Sequence, residues 1–388
     1  MIKLESKTTI FNKKRVKVNT ENIASLGLSY KVETFDKDKK KIYDRDGKCH
    51  SWTKQMAQVL MVQMGNIELT DVKDTGNTER TVRQYSQNFW IEAPATNTDY
   101  GVLAGTGTTA STISDYVMET LIAEGAGAGQ LNYGATTVGA VNSDATSAWF
   151  TVSRELTNNS GGDITVTEIG MVARAMGTPY YILIARDKLD SSETITNGTS
   201  KTITYTIKCV ASFTKQFIDL LCRQFCQDNQ ASFDITATSR TADDGYTQLQ
   251  CVGPGALGRV RLDGGDYSQM AGETVGIVIG TGTNAHDITD KALQTRIEHG
   301  TSGEASKMYY YGTAVDEYTV GASTASFIIA SLFHNQSGGS ITVNEHGMYA
   351  IDGDIQYSHC IARKKLDSGD AIADDELYKV AYTLQATN

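Results

Sequence analysis

Two short stretches of the chain carry a helical spacing of apolar side chains. Trp52, Met56, Val59 and Leu60 fall at i, i+4, i+7 and i+8, and Phe213, Phe217, Leu220, Leu221 and Phe225 hold the same face further on. An apolar stripe with a period near 3.6 residues predicts an amphipathic helix that buries the stripe. Ser51 and Ser212 stand where an N-cap is expected, and Gly65-Asn66 where the first helix should stop. Elsewhere the period is two. Residues 202–207 read TITYTI and 380–384 read VAYTL, while 164–166 and 180–185 run apolar between turn signals. This pattern predicts strands with a buried face. Asn and Gly at 158–162 and 335–339 reach positive φ at little cost, so the chain can reverse there. The N-terminal segment predicts strands at 16–18, 27–35 and 40–45, the last two joined through Asp36-Lys37-Asp38.

The pattern occurs twice. Ser51-Trp52-Thr53-Lys54-Gln55 recurs 161 residues later as Ser212-Phe213-Thr214-Lys215-Gln216, and Gly105-Thr106-Gly107-Thr108 recurs 175 later as Gly280-Thr281-Gly282-Thr283. NNSGGDITV at 158–166 matches NQSGGSITV at 335–343, an offset of 177. The same offset pairs Glu168-Ile169-Gly170-Met171 with Glu345-His346-Gly347-Met348, and Ile184-Ala185-Arg186 with Ile361-Ala362-Arg363. It also pairs Tyr205-Thr206-Ile207 with Tyr382-Thr383-Leu384. Ordered matches at one constant offset make the two units homologous, with insertions in loops where the offset changes. The expected plan is a basic β-hairpin arm at 1–50, a helix and β-sandwich at 51–211, and a second helix and β-sandwich at 212–388. The fold class is therefore mainly β. Each helix is expected to pack on its own unit's sheet and each unit to hold its own core.

Charge adds one feature to this plan. The net charge is −10, yet residues 1–50 hold 13 Lys/Arg against 7 Asp/Glu, leaving 22 against 38 for the rest. A basic arm suits nucleic acid or the acidic face of a neighbouring copy, but reads first as a solvated hairpin whose Lys-lined edge discourages aggregation. Aromatic residues interleave little with the Lys runs and no nucleic-acid-binding motif occurs, so nucleic acid is not expected as a partner. Cys49, Cys209, Cys222, Cys226, Cys251 and Cys360 form no CxxC pair, which fits synthesis in a reducing cytoplasm. The first residues lack an apolar signal core and no run reaches membrane-spanning length, so a soluble chain without a membrane partner is expected.

Motifs for chemistry are missing: no GxxxxGK[ST], GxSxG or HExxH occurs. The two Gly-Thr-Gly-Thr runs lack a following Lys and read as turns at strand ends. Gly125-Ala126-Gly127-Ala128-Gly129 lacks a βαβ context and reads as a surface loop. The histidines at 50, 286, 299, 334, 346 and 359 form no ligand pair, and the first unit places Glu124 and Ile169 opposite His299 and His346. Asp36, Asp38, Asp44 and Asp46 lack the terminal Glu of a calcium loop and read as hairpin turns, as does Asp352-Gly353-Asp354. No catalytic, cofactor or metal site is expected. Glu168 with Arg186, and Glu345 with Arg363, are the charged positions kept in both matched blocks, and they read as structural ion pairs. Trp52 and Phe213 are the matched aromatic anchors.

The blocks at 158–171, 184–189 and 202–207, repeated at 335–348, 361–366 and 380–384, resemble β-domains of tailed-bacteriophage virion proteins. The lead-in Lys48-Cys49-His50-Ser51-Trp52 is similar to the start of structural proteins of gut-type phages, including crAss-like ones. The resemblance covers most of the chain, although His346 for Ile169 and Lys364 for Asp187 put a binding role shared by both copies in doubt. It implies a non-enzymatic virion protein, assembled in the host cytoplasm into a six-fold or twelve-fold ring in the tail, neck or baseplate. Its partners would be further copies and other virion proteins. The arm would lie across the next copy. A receptor-binding fibre or capsid decoration protein is the alternative, and an enzyme using two carboxylates is a third reading in which no acid pair can be singled out.

Overall fold

The computed structural model describes residues 8–11, 14–22, 26–48, 52–65, 67–83, 89–175, 180–210, 212–226, 275–351 and 358–388. The chain is mainly β. Four strands come first: β1 (Thr8–Phe11), β2 (Lys14–Asn22), β3 (Gly27–Phe35) and β4 (Lys41–Lys48). The first unit opens with α1 (Lys54–Gly65), followed by β5 (Leu69–Lys73), β6 (Glu79–Val82), β7 (Phe89–Trp90) and β8 (Gly101–Gly105). It continues with β9 (Asn132–Val138), β10 (Asn142–Ser143), β11 (Ser147–Thr157), β12 (Ile164–Ala175), β13 (Tyr181–Ile195) and β14 (Ser200–Val210). The second unit contains α2 (Lys215–Phe225), β15 (Gly276–Gly280), β16 (Tyr309–Tyr310) and β17 (Ala314–Val320). It ends with β18 (Thr324–His334), β19 (Ile341–Ile351), β20 (Ser358–Ile372) and β21 (Leu377–Thr387).

The duplication seen in sequence is repeated strand by strand. β11 pairs antiparallel with β14 as β18 does with β21, β12 with β13 as β19 with β20, and β8 with β12 as β15 with β19. Register irregularities fall between Val166/Glu168 and Met171/Val172, and recur between Val343/Glu345 and Met348/Tyr349. A bulge bends a strand and re-aims the side chain beside it. In both units the extra residues lie on β13 and β20, and the retained arginine stands between the two irregularities of its strand. Alternation behaves as expected along β14, where Ile203, Tyr205 and Ile207 are buried. A gap of about 10 Å³ lies between Val32, Leu156 and Ile203 of one sheet and Val166, Ile169 and Leu189 of another.

The segment 1–50 reads in sequence as an arm outside the duplication, but its strands are built into the sheets of both units. β3 lies antiparallel on β14 with β4 beyond it, and β2 lies parallel on β21 with β1 beyond it. Its basic residues meet acidic ones of the same chain. Lys17 Nζ lies 2.6 Å from Asp370, Arg45 Nη1 lies 3.1 Å from Glu193, and Lys39 pairs with Glu155. The turn at 36–40 is as expected, with Asp36 Oδ1 accepting the N–H groups of Asp38 and Lys40 at 2.9 Å each. Asp44 and Asp46, also read as turn residues, instead lie within β4, paired with β3.

The helices also depart from expectation. Each packs between its own unit and the other one: α1 on β13, and on β17, β18 and β21; α2 on β20, and on β11 and β14. Trp52 forms a bridge with Ala185, and Phe213 the matching bridge with Ala362. On the far side Met56, Ala57 and Leu60 face Phe327, Leu384 and Ala386, and the Phe225 ring lies 5.7 Å from Phe150. The reason is burial all round. Every residue of α1 after Lys54 is buried, Gln55, Gln58 and Gln63 included, so one wall cannot cover it. The apolar core is accordingly one continuous cluster through both units, not one core per unit.

The helix starts are displaced from the expected caps. Thr214, not Ser212, is the N-cap of α2, and its hydroxyl makes no capping bond. It donates instead to Cys360 O at 2.5 Å, as Thr53 donates to Leu183 O at 2.7 Å, tying each helix to its strand. Ser51, Asn66 and the turn at 352–354 lie outside the described residues.

Candidate functional site

The retained charged residues meet in both units. Glu168 sits fully buried on β12, and Arg186 projects from the neighbouring β13 between that strand's two bulges. Arg186 Nε donates to Glu168 Oε2 at 2.8 Å. Glu168 also accepts the backbone N–H groups of Gly107, Glu119 and Thr120 at 3.2, 3.1 and 2.7 Å. The guanidinium uses its remaining donors on Asp115 at 2.7 Å, and on Thr109 O and Glu119 Oε2 at 3.1 Å each. The expected ion pair therefore does more than join two strands: it pins the loop 106–120 onto the sheet.

The second unit repeats the arrangement nearly atom for atom. Arg363 Nε donates to Glu345 at 2.8 Å, and Glu345 accepts from Gly282, Gln294 and Thr295 at 3.1, 3.2 and 2.9 Å. Arg363 also reaches Asp290 at 2.7 Å, Ala285 O at 3.1 Å and Asn284 O at 3.0 Å. One position differs. Gln294 replaces Glu119, and its Oε1 accepts the N–H groups of Thr283 and Asn284 at 2.8 and 2.9 Å. Glu119 accepts Thr109 N at 2.7 Å in the same way. The first cluster thus sets three carboxylates around one guanidinium, the second two. Burial alone would lower Arg186 and Arg363, yet the bonds from Asp115 and Glu168, and from Asp290 and Glu345, hold both above the ordinary arginine value. Breaking a buried pair of this kind costs about 3–5 kcal/mol.

The glycines of the two Gly-Thr-Gly-Thr runs belong to these clusters. A Cβ on Gly107 would stand 2.5 Å from Glu168 Oε1, and one on Gly282 2.2 Å from Glu345 Oε1. The runs do sit at strand ends, as expected, but the glycines are there because a buried carboxylate packs against the backbone. The joint retention of Gly-Thr-Gly-Thr and the glutamate in both copies is the sequence signal for this.

Two further buried groups stand outside the clusters, and the sequence singles out His346 but not Arg154. Arg154, 1 % exposed, donates only to carbonyls: those of Gly134, Tyr100, Val102, Pro94 and Asn97, at 2.5–3.3 Å. Burial pulls its pKa down to about 10, and its guanidinium lies 4.8 Å over the Tyr133 ring. Its twin is Ser331, which bonds Tyr311 O at 3.1 Å, the counterpart of Gly134 O. His346 takes the place of Ile169 in the core, with Nδ1 2.5 Å from Tyr382 Oη, and burial pushes its pKa down to about 3.

Among the described residues no group of three or more His, Cys, Asp or Glu is placed to hold a metal ion, and no helix is long and apolar enough to cross a membrane. Cys209, Cys222, Cys226 and Cys360 are buried free thiols, while Cys49 and Cys251 lie outside the described residues. In the loop at 125–129 Gly125 is half-buried and residues 126–129 are exposed, as expected of a surface loop. What the paired clusters provide is rigidity: the carboxylates are filled with donors and the loops they hold are fixed to bulged strands. No family model matches the chain, nor does any curated protein or solved structure match it.

Proposed function

We propose that the chain is a non-enzymatic structural protein of a tailed-phage virion, an oligomeric ring or connector of the tail, neck or baseplate. Each unit is read as a two-sheet β-sandwich. The observation that carries the reading is the duplicated clamp. Both units devote their matched charged residues to fixing a loop on a bulged strand, and they share their helices. One chain thereby presents two similar, rigid faces in a fixed relation. Faces of that kind make heterologous contacts that close into rings when the rotation permits. Six chains would place twelve similar units around an axis. Further copies and other virion proteins are the partners, and assembly takes place in the host cytoplasm.

Mass photometry and negative-stain imaging of the purified full chain test this. Rings of six or twelve chains are expected; a monomer at every concentration would overturn the reading. A second reading, a receptor-binding or decoration protein, draws on Val117 and Leu121, each 40 % exposed on or beside the clamped loop. Their twins, Ala292 and Arg296, are unlike them. Binding of the chain to host glycans on an array, without ring formation, would favour that reading.

A further inference from the structure

The slots beside β14 and β21 are equivalent in the duplication, but the N-terminal segment fills them in opposite senses. β3 lies antiparallel on β14, with residues 27–35 against 200–208, while β2 lies parallel on β21, with 16–22 against 377–383. Parallel pairing is the less stable of the two per residue. In each slot a basic residue of the hairpin meets a matched acid. Arg45 lies 3.1 Å from Glu193, and Asp370 takes Lys17 at 2.6 Å and Asn19 at 3.3 Å.

The two hairpins are joined through residues 23–25, and the fixed point lies just after them. The Leu26 carbonyl accepts Trp52 Nε1 at 2.7 Å, and the Leu26 side chain is buried in the seam where α1 meets Leu384 and Ala386. Phe213, the twin of Trp52, carries no such donor. The indole therefore anchors the chain where it passes from the first unit to the second. The β3–β4 hairpin after Leu26 is held by the first unit; the hairpin before it is held by the second.

A hairpin tethered on one unit and seated in a slot of the other can sit in the same slot of a second copy with the same hydrogen bonds and the same Lys17–Asp370 pair. Exchange of an identical element is a low-cost route to assembly because it needs no new contact. We propose that in the assembled protein the β1–β2 hairpin of one copy occupies the slot beside β21 of the next, and so links neighbouring copies. The inference rests on the ring reading above and names the contact that would close it.

Val18 and Lys379 are partners in the parallel register. One tagged chain carries Val18→Cys, a second, differently tagged chain carries Lys379→Cys, and the two are co-expressed. A short bis-maleimide applied to the assembled fraction is expected to join the two tagged species at twice the chain mass, with loss of that band when either cysteine is omitted. If Lys379→Cys disturbs folding through its pairing with Asp316, the register pair Asn22 and Thr383, the latter half-buried, gives the same readout. If rings form without that band, while a chain carrying both substitutions cross-links only within itself, strand exchange is overturned and the ring reading stands. Monomers at every concentration overturn both.

Discussion

A carboxylate removed from water must have its lone pairs filled, and Glu168 fills them with three backbone N–H groups and one guanidinium. The twin positions show which parts of that solution are interchangeable. Glu119 can become Gln294 because a neutral amide oxygen also accepts the loop's backbone N–H groups, although the contact that Glu119 makes with the arginine is not among those of Gln294. Ile169 becomes His346 only at a price paid in acid. The unfolded chain binds a proton to a histidine near pH 6.5, whereas the buried imidazole stays neutral down to about pH 3. Its folded pKa lies below the unfolded one, so stability is fully present above pH 6.5 and is lost as pH falls toward 3. The loss approaches about 1.4 kcal/mol per pH unit. Urea titrations between pH 7 and 5 should show this slope, and His346→Ile, which restores the first unit's residue, should flatten it. An unchanged slope in the variant would place the acid sensitivity elsewhere.

The retained glutamates and arginines were legible in the sequence because two copies of one pattern act as an alignment of the chain with itself. Arg154 was not legible, because only one copy has it and the carbonyls it holds come from β8, β9 and the loop before β8, at positions outside any motif. The packing of the helices was hidden for a different reason. Gln55, Gln58 and Gln63 interrupt the apolar stripe of α1 and suggest a wet face, yet all three are buried, because the other unit's sheet covers that side. Position 52 can be tested at this scale. Trp52→Phe copies the residue of the second unit, keeps an aromatic ring against Ala185, and removes the donor to Leu26 O together with part of the buried indole. A loss of about 1–3 kcal/mol is expected, the cost of one buried unpaired acceptor. Hydrogen exchange should rise first at the start of β3, close to Leu26. A variant as stable as the parent, with unchanged exchange there, would remove the anchor from the account of the hairpin.

At the scale of the whole molecule, the duplication produced one body instead of two beads. Each helix closes a seam between units, β2 crosses to the second unit while β3 stays on the first, and the buried apolar residues form a single cluster. Deleting residues 1–50 would remove β1 to β4 together and leave β14 and β21 as bare sheet edges, so a loss of assembly in that variant would not isolate the hairpin contact. The same interlocking fixes how the protein should melt. Two independent units would give two transitions, and a substitution in one would shift one of them. Shared helices tie the fates of the units together, so calorimetry of the full chain should show one transition whose calorimetric and van't Hoff enthalpies agree. Met56→Ala removes a nearly fully buried side chain from the seam between β13 and β18, at a cost of about 2–5 kcal/mol. It should lower that single transition as a whole, reaching the second unit although the residue belongs to the first. Two resolved peaks, with only one moved by the substitution, would mean that the seam does not couple the halves.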